Sequence, residues 1–184
     1  MPRIKVLILT ALLTLSLPAL AGNFSLKSPS IKHDDRLTTR QEYQGHGCTG
    51  ANLSPALAWR SAPAGTKSFA VTLFDTDARA GQGWWHWTVV DIPPSIHALL
   101  ENTGNISGQH LPTGAVQIPS SFGTAAYGGP CPPVGDKAHH YVFTVYALKI
   151  AKLDLPANAT AATLNPVIQA HAIGKASFTA RFGR

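Results

Sequence analysis

The chain has few charged residues and no cluster of basic ones. Only 13% of its 184 residues are Asp, Glu, Lys or Arg, and the formal net charge is +6. The basic residues are spread singly, and two of them, Arg3 and Lys5, belong to the N-terminal leader described below. Because nucleic-acid binding needs a concentrated basic face, this distribution argues against a nucleic-acid partner. The mild positive balance is at most a bias towards anionic ligands.

Cysteine is nearly absent, since Cys48 and Cys131 are the only two in the sequence. Neither belongs to a CxxC motif, so metal ligation by the pair is the weaker interpretation. An isolated pair in an exported protein is more often bridged than free. We therefore expect a Cys48–Cys131 disulfide, which closes a loop of 131 − 48 = 83 residues.

The short motifs that mark common catalytic centres are also missing. There is no HExxH or short HxH spacing for a metal, and no GxSxG elbow surrounds Ser54, Ser120 or Ser121. Three chemistries stay open on the residues alone. They are a metal site using Asp75, Asp77, His86 and His139, a serine hydrolase, and a small anion pocket lined by backbone amides with Tyr and His donors. We predict the third, with no catalytic residue, metal or cofactor.

The first 21 residues have the pattern of a secretory signal peptide. A basic start precedes the apolar residues 6–20, and a small-residue cleavage motif ends at Ala21. The apolar run is too short and wrongly flanked for a membrane-spanning helix, and an uncleaved anchor is the alternative. We expect cleavage after Ala21, a periplasmic or secreted location, and a single domain of residues 22–184 that does not span the membrane.

The mature part has the pattern of a mostly β domain with long Gly/Pro loops. Residues 68–74 are apolar on both faces, as expected of a central strand, and residues 142–148 give the strongest strand signal in the chain. Further strands are expected at residues 23–28, 57–59, 85–92, 114–117 and 176–182, and residues 95–108 are expected to be loop-like.

One helix is expected late in the chain, at residues 158–172. Its N-terminal cap would lie near Asn158 or Thr160, and Gly174 is the expected C-terminal stop. Pro166 either begins a second helical turn or kinks the helix.

A pair of acids ends one of the central strands. Asp75 and Asp77 follow the apolar residues, and a Gly-rich turn returns the chain into an aromatic strand that carries His86. Residues two apart in an extended chain share a face, so we expect both acids on one face with His86 nearby. The irregular residues 45–55 and 123–137 are expected to belong to the same rim. Each of these residues also has a purely structural interpretation, as a turn, core or exposed residue.

Four segments in order resemble one family, the phosphatidylethanolamine-binding proteins, and specifically their bacterial Raf-kinase-inhibitor-like branch. NLSPALAW at residues 52–59 is similar to the NxSPxLxW segment of that family, and DTDA at residues 75–78 is similar to its DxDAP motif. WHW at residues 85–87 follows, and GPCPPVGDKAHHY at residues 129–141 resembles the GxxPPxG…HxY segment. The resemblance covers nearly all of the mature chain.

The resemblance implies a β-sandwich of two packed antiparallel sheets with a small anion pocket. Carried over by position, the ligand-binding residues would be Asp75, Asp77, His86, Cys131, Pro133, His139 and Tyr141. Cys131 would contribute its backbone, and Pro133 would shape the wall. Arg79 departs from the family pattern, because it stands where the family usually has proline. His140 lies where relatives vary, so we assign it no role.

The function predicted from sequence is therefore non-catalytic binding of a small anionic ligand, such as phosphate or a phospholipid head group. The alternative is a module that binds a protein partner as an inhibitor or in signalling, and a hydrolase comes third. The sequence leaves the oligomeric state open, a homodimer included.

Overall fold

The fold is that of the computed structural model, which describes residues 22–31 and 36–184. The expected signal peptide, residues 1–21, lies outside the described residues. Ten strands and two helices follow one another in the described chain. They are β1 (Ser25–Lys27), β2 (Gln44–Gly45), β3 (Cys48–Thr49), β4 (Leu57–Arg60), β5 (Ser68–Asp75), α1 (Ala78–Gly81), β6 (Trp84–Ile92), β7 (Ala98–Leu99), β8 (Val116–Gln117), β9 (His139–Leu148), α2 (Ala161–His171) and β10 (Ala172–Phe182).

The strands form two packed antiparallel sheets and one small hairpin. The larger sheet has the order β10-β9-β5-β6-β8, the smaller has the order β1-β4-β7, and β2 pairs with β3. All pairings between these strands are antiparallel. The mostly β sandwich expected from the sequence is therefore confirmed, and β5 is the central strand of the larger sheet.

Alternation along the central strand divides its side chains between two cores. Phe69, Val71 and Leu73 of β5 lie between the sheets, where they join Trp59 and other buried residues of the smaller sheet. Ala70 points to the opposite face and belongs to a second cluster that α2 covers. Burial on both faces explains why residues 68–74 carry apolar side chains at five of their seven positions.

Helix α2 begins where the sequence indicated. Thr160 is its N-cap, and Thr160 and Thr163 exchange side-chain-to-backbone hydrogen bonds in a capping box. The helix continues through Pro166, which supplies no amide hydrogen to the preceding turn. Leu164 and Ile168 are buried against the outer face of the larger sheet. Burying one such side chain fully contributes about 1.5–3 kcal/mol.

Two expectations about local structure were wrong. Gly174 does not end the helix, because the chain turns from extended Ala172 directly into β10, and Gly174 lies within that strand beside a register shift. A Cβ at Gly174 would lie 2.6 Å from the Pro63 ring, so close packing explains this glycine. Residues 95–108 contain the two-residue strand β7, which pairs with β4. No helix within the described residues is long and apolar enough to cross a membrane.

Candidate functional site

A cavity of about 440 Å³ opens where β5, β6 and β9 meet the Gly/Pro loops. Asp75 ends β5 in register with Trp84 of β6 on one side and with Tyr141 of β9 on the other. The lining residues are His46, Asp75, Asp77, Ala78, Arg79, Ala80, Trp84, His86, Phe122, Cys131, Pro132, Pro133, Asp136 and His139. The strand ends thus form the floor, and the loops form the walls.

Asp75 is the centre of the floor. The residue is 3% exposed, and its Oδ1 accepts hydrogen bonds from the amides of Asp77 at 2.9 Å and Ala78 at 3.1 Å. Oδ2 lies 2.8 Å from Nδ1 of His139 and 3.9 Å from Nε2 of His86. One carboxylate therefore fixes the turn after β5 and also orients an imidazole from β9.

His86 presents an acceptor to the cavity. Its Nδ1 lies 2.6 Å from the carbonyl oxygen of Gly128. Because a carbonyl can only accept, Nδ1 carries the hydrogen and donates it, which leaves Nε2 of the neutral ring unprotonated. Burial lowers the pKa of His86, and it outweighs the opposite effects of the Gly128 carbonyl and the Asp75 charge. The neutral ring therefore places Nε2 beside Asp75 Oδ2, and both atoms are acceptors.

Asp77 lines the cavity from a more exposed position. Its backbone has φ −99° and ψ −20°, so it is not extended, and the argument from spacing in an extended strand does not describe it. Its Oδ2 accepts from the amide of His140 at 2.7 Å and lies 3.0 Å from the His140 ring. Burial works to raise the pKa of Asp77, but the His140 hydrogen bonds outweigh it, and the net pKa is lowered.

The wall opposite the acids is formed by residues 131–136 and is held by several ties. Cys131 is bridged to Cys48, as expected from the sequence. The guanidinium of Arg184 donates to the carbonyl of Pro132 at 2.7 Å and to that of Gly47 at 2.8 Å. Asp136 lies at the rim with Oδ2 3.6 Å from Nε2 of His139. The wall and the hairpin carrying Cys48 are thus tied both covalently and by hydrogen bonds.

The short β2–β3 hairpin brings His46 to the cavity. His46 and Gly47 form its two-residue loop with φ of 52° and 80°, the geometry that suits the twist of a tight hairpin. The His46 ring stacks on Tyr43, which in turn stacks on Phe122 at 4.6 Å between ring centroids. Phe122 also meets His86 edge-to-face at 5.3 Å. These rings give the cavity an apolar side beside its polar floor.

Six of the seven expected site residues line this cavity, and Tyr141 does not. Its side chain is fully buried beneath the floor, where it meets the His86 ring edge-to-face at 5.2 Å and stacks on His139 at 6.4 Å. Burial, with the charge of Asp75 in second place, raises the pKa of Tyr141 far above its usual value. Tyr141 therefore supports the two histidines in place of lining the cavity.

Several other lining residues were not among the predicted site residues, and His46, Trp84, Phe122 and Asp136 are four of them. His46 and Asp136 belong to the two irregular segments expected at the rim, whereas Trp84 and Phe122 lie outside those segments. Asp136 could have been predicted as a lining residue, because it stands three residues before His139 in the segment already assigned to the site. The aromatic residues looked like core residues, and nothing in their spacing indicated otherwise.

A family model described as phosphatidylethanolamine-binding protein matches residues 27–183. The chain belongs to the phosphatidylethanolamine-binding protein family. It is 46% identical over 170 residues to the UPF0098 protein YbcL of Escherichia coli K12, which covers 92% of this chain and 93% of that protein. It is 42% identical to the UPF0098 protein YbhB of the same organism, over 85% of this chain and 98% of that protein.

Solved structures agree with this membership. The crystal structure of E. coli YbcL, described as a new member of the mammalian family, superimposes with a TM-score of 0.85 over 89% of this chain and 99% of that chain. A putative family homologue from Chlamydia trachomatis gives a TM-score of 0.71 at 26% identity, over 88% of this chain and 98% of that chain. Proteins of the family bind ligands and in general are not catalysts.

One relative bears on location. The putative lipoprotein LppC of Mycobacterium tuberculosis is 38% identical over 135 residues, which are 73% of this chain and 62% of that protein. Lipoproteins are anchored outside the cytoplasm, and disulfides persist in oxidising compartments. The relative and the Cys48–Cys131 bridge both point to an extracytoplasmic protein.

The three serines considered as hydrolase nucleophiles accept hydrogen bonds from backbone amides. Ser54 Oγ accepts from the amide of Gly104 at 2.8 Å, and Ser121 Oγ accepts from that of Trp85 at 3.0 Å. Ser120 Oγ accepts from the amide of Phe122 at 3.3 Å, and none of the three serines lines the cavity. Within residues 22–31 and 36–184, no group of three or more His, Cys, Asp or Glu side chains is placed to hold a metal ion.

We expect His86 to make stability depend on pH. Its folded pKa is lowered by burial, so at acid pH the unfolded chain binds a proton that the folded chain does not. The stability that His86 provides is present above its unfolded pKa of about 6.5 and is lost as pH falls towards its folded pKa. Between pH 7.5 and pH 5.0 this loss amounts to at most about 2 kcal/mol, measured by urea unfolding.

His86→Asn is the matched variant for this measurement. An asparagine amide can donate to the Gly128 carbonyl in place of Nδ1 but does not titrate. The variant should therefore lose less stability than the wild type over the same pH range. Equal pH dependence of the two proteins would contradict the assignment.

Proposed function

We propose that the cavity binds a small anionic ligand that also carries a hydrogen-bond donor, such as hydrogen phosphate or a phosphorylated head group. The single observation that carries this proposal is the pair of acceptors on the floor, Asp75 Oδ2 and His86 Nε2, 3.9 Å apart. Two unprotonated acceptors facing each other favour a ligand that donates an O–H or N–H hydrogen to one of them, or two hydrogens of one group to both. A phosphate monoester that keeps one proton supplies such a group together with negative charge.

The shape of the cavity supports the same ligand class. Its volume of about 440 Å³ lies in the range of small-molecule sites and exceeds the needs of a bare phosphate ion. The walls are largely apolar, with Trp84, Phe122, Pro132 and Pro133 around the polar floor. Few polar groups in an apolar cavity favour a small ligand recognised at one end.

The test is titration calorimetry with inorganic phosphate and phosphoethanolamine. Asp75→Ala and His86→Ala each remove one floor acceptor, and we expect each to weaken binding at least tenfold, the effect of about 1.4 kcal/mol. Asp154→Ala and His110→Ala are matched controls, because both residues are exposed and lie outside the cavity. The controls should bind like the wild type.

Unchanged affinity in both floor variants would contradict the proposal. Capture of a protein partner that persists in those variants would favour the alternative function, in which the chain acts as an inhibitory or signalling module. Near-ultraviolet circular dichroism of each variant establishes that the loss of binding is not a loss of folding.

We also propose that this function is carried out in the periplasm or outside the cell. The signal-peptide pattern of residues 1–21, the disulfide and the lipoprotein relative support this location. Cell fractionation tests it. Recovery of the protein in the cytoplasm, with residues 1–21 still attached, would contradict it.

A further inference from the structure

A second cavity, which we call the outer cavity, lies on the outer face of the larger sheet beside helix α2. Its volume is about 340 Å³, which lies within the range of small-molecule sites. Its lining residues are Thr72, Phe74, Thr76, Trp85, Val142, Thr144, Tyr146 and Asn165. None of them lines the cavity of the candidate site, so the two cavities are separate.

Alternation along three neighbouring strands places this lining on one face of the sheet. Thr72 of β5 is in register with Thr144 of β9, and Phe74 of β5 is in register with Trp85 of β6. Tyr146 belongs to the cluster that α2 covers, whereas Phe74 and Trp85 lie outside that cluster and are half-buried. The outer cavity therefore lies where the helix stops covering the sheet.

Two aromatic rings form the apolar wall of the outer cavity. The ring centroids of Phe74 and Trp85 lie 4.4 Å apart, and the rings are tilted by 44°. Phe74 also packs directly over Gly83, where a Cβ would lie 2.0 Å from the ring. Close packing on both sides holds the Phe74 ring in place, so this wall is preformed, as is usual for ligand sites.

Asn165 brings a polar group without a partner to the outer cavity. Its Oδ1 is buried and has no hydrogen-bond partner among the described residues. A buried polar atom of this kind destabilises a protein, and in a native fold it calls for an explanation. The explanation we favour is a ligand that donates a hydrogen bond to this amide, as a hydroxyl group can.

The other polar groups of the outer cavity are neutral hydroxyls. Thr144 Oγ1 shares a hydrogen bond of 2.8 Å with Ser177 Oγ. Burial raises the pKa of Tyr146 and outweighs the hydrogen bonds from Thr72 and Thr144, so the Tyr146 hydroxyl keeps its proton. No Asp, Glu, Lys, Arg or His is among the eight lining residues that the structure describes. A charge buried against this lining would have no counter-charge, which favours an uncharged ligand.

We infer that the outer cavity binds a small uncharged molecule with several hydroxyl groups, of the size of a monosaccharide. A sugar ring combines an apolar C–H face with a rim of hydroxyls. The C–H face lies against the Phe74 and Trp85 rings, and the hydroxyls bond to Asn165 and Tyr146. This second site goes beyond the proposed function and does not depend on it, because the two linings share no residue.

The experiment titrates the ¹⁵N-labelled protein with glucose, galactose, mannose and ribose, and follows the amide chemical shifts. We expect at least one of these sugars to give saturable shifts at amides of residues 72–74, 142–146 and 165. The amides of residues 131–136, in the wall of the other cavity, should not respond. Saturating inorganic phosphate should leave the affinity for the sugar unchanged.

Asn165→Leu and Tyr146→Phe are the test variants. Each should weaken binding of the sugar about three- to tenfold, as expected for one lost neutral hydrogen bond. Because Asn165 Oδ1 has no partner within the described chain, Asn165→Leu should not lower the urea midpoint of unfolding, whereas a purely structural role would lower it. Asn158→Leu is the matched control, since Asn158 is exposed and lies outside the outer cavity, and it should leave the affinity unchanged.

Three results would overturn the inference. The first is that none of the sugars gives a saturable shift, or that the responding amides are those of residues 131–136. The second is an unchanged affinity in both Asn165→Leu and Tyr146→Phe. The third is that the amides around the outer cavity shift with protein concentration and not with sugar, which would show that a second copy of the chain covers this face.

Discussion

Replacing both cysteines, Cys48→Ser with Cys131→Ser, is expected to lower the free energy of unfolding by about 3–4.5 kcal/mol. The bridge joins residues 83 positions apart, and a loop of that length removes much conformational entropy from the unfolded chain. Urea unfolding monitored by tryptophan fluorescence measures the change. For a domain of this size, such a loss is a large fraction of the total stability.

A dithiol reductant gives the matched control for the cysteine variant. Reduced wild type should unfold at the same urea concentration as the double serine variant, and the variant itself should not respond to the reductant. Because Cys131 lines the cavity and Cys48 belongs to the hairpin carrying His46, ligand affinity should fall together with stability. An unchanged unfolding midpoint in the reduced wild type would contradict this expectation.

Gly129→Ala is expected to cost about 3 kcal/mol or more, or to prevent folding. A Cβ at Gly129 would lie 1.9 Å from the carbonyl oxygen of Gln41 and 2.7 Å from the amide nitrogen of Tyr43. Both are backbone atoms, so no side-chain rotation relieves the overlap. The Gly129 amide also donates to Oδ1 of Asn52 at 2.8 Å, and any displacement would break this bond.

Gly135→Ala, six residues further along the chain, is the control for the Gly129 variant. A Cβ at Gly135 would have no atom within 4 Å, so the cost comes only from its φ of 89° and should be about 1 kcal/mol. Thermal and urea unfolding of both variants measure the difference. If both variants lost a similar free energy of unfolding, the close backbone contact would not be the reason for glycine at position 129.

The central part of the fold could be predicted from sequence because its signals are local. Strands β5 and β9 are largely buried on both faces, so most of their residues are apolar, and the capping box of α2 is a short-range pattern. Strand β7 was not found, since two residues carry no periodicity. Gly174 was misread because a glycine kept for packing against Pro63 looks the same in sequence as a helix stop.

The candidate site likewise has parts that the sequence predicts and parts that depend on long-range contacts. The proximity of Asp75 and His86 could be predicted because they stand at the end of one strand and within the next, and a hairpin brings these positions together. His46 lies in a segment expected at the rim, but its place in the lining depends on the β2–β3 hairpin and on the bridge to the distant Cys131, which no local pattern encodes. The resemblance predicts Tyr141 in the lining, and its register does place it beside Asp75, but its side chain is fully buried against the His86 and His139 rings.

The distances in sequence between the parts of the cavity have a consequence for folding. Asp75 and His139 are 64 residues apart, and Arg184 holds the carbonyl of Gly47 across 137 residues. Folds dominated by such non-local contacts form slowly, in milliseconds to seconds, because long loops must close before the contacts are made. We therefore expect the complete cavity to form late in folding. Recovery of ligand binding during refolding should coincide with the last kinetic phase.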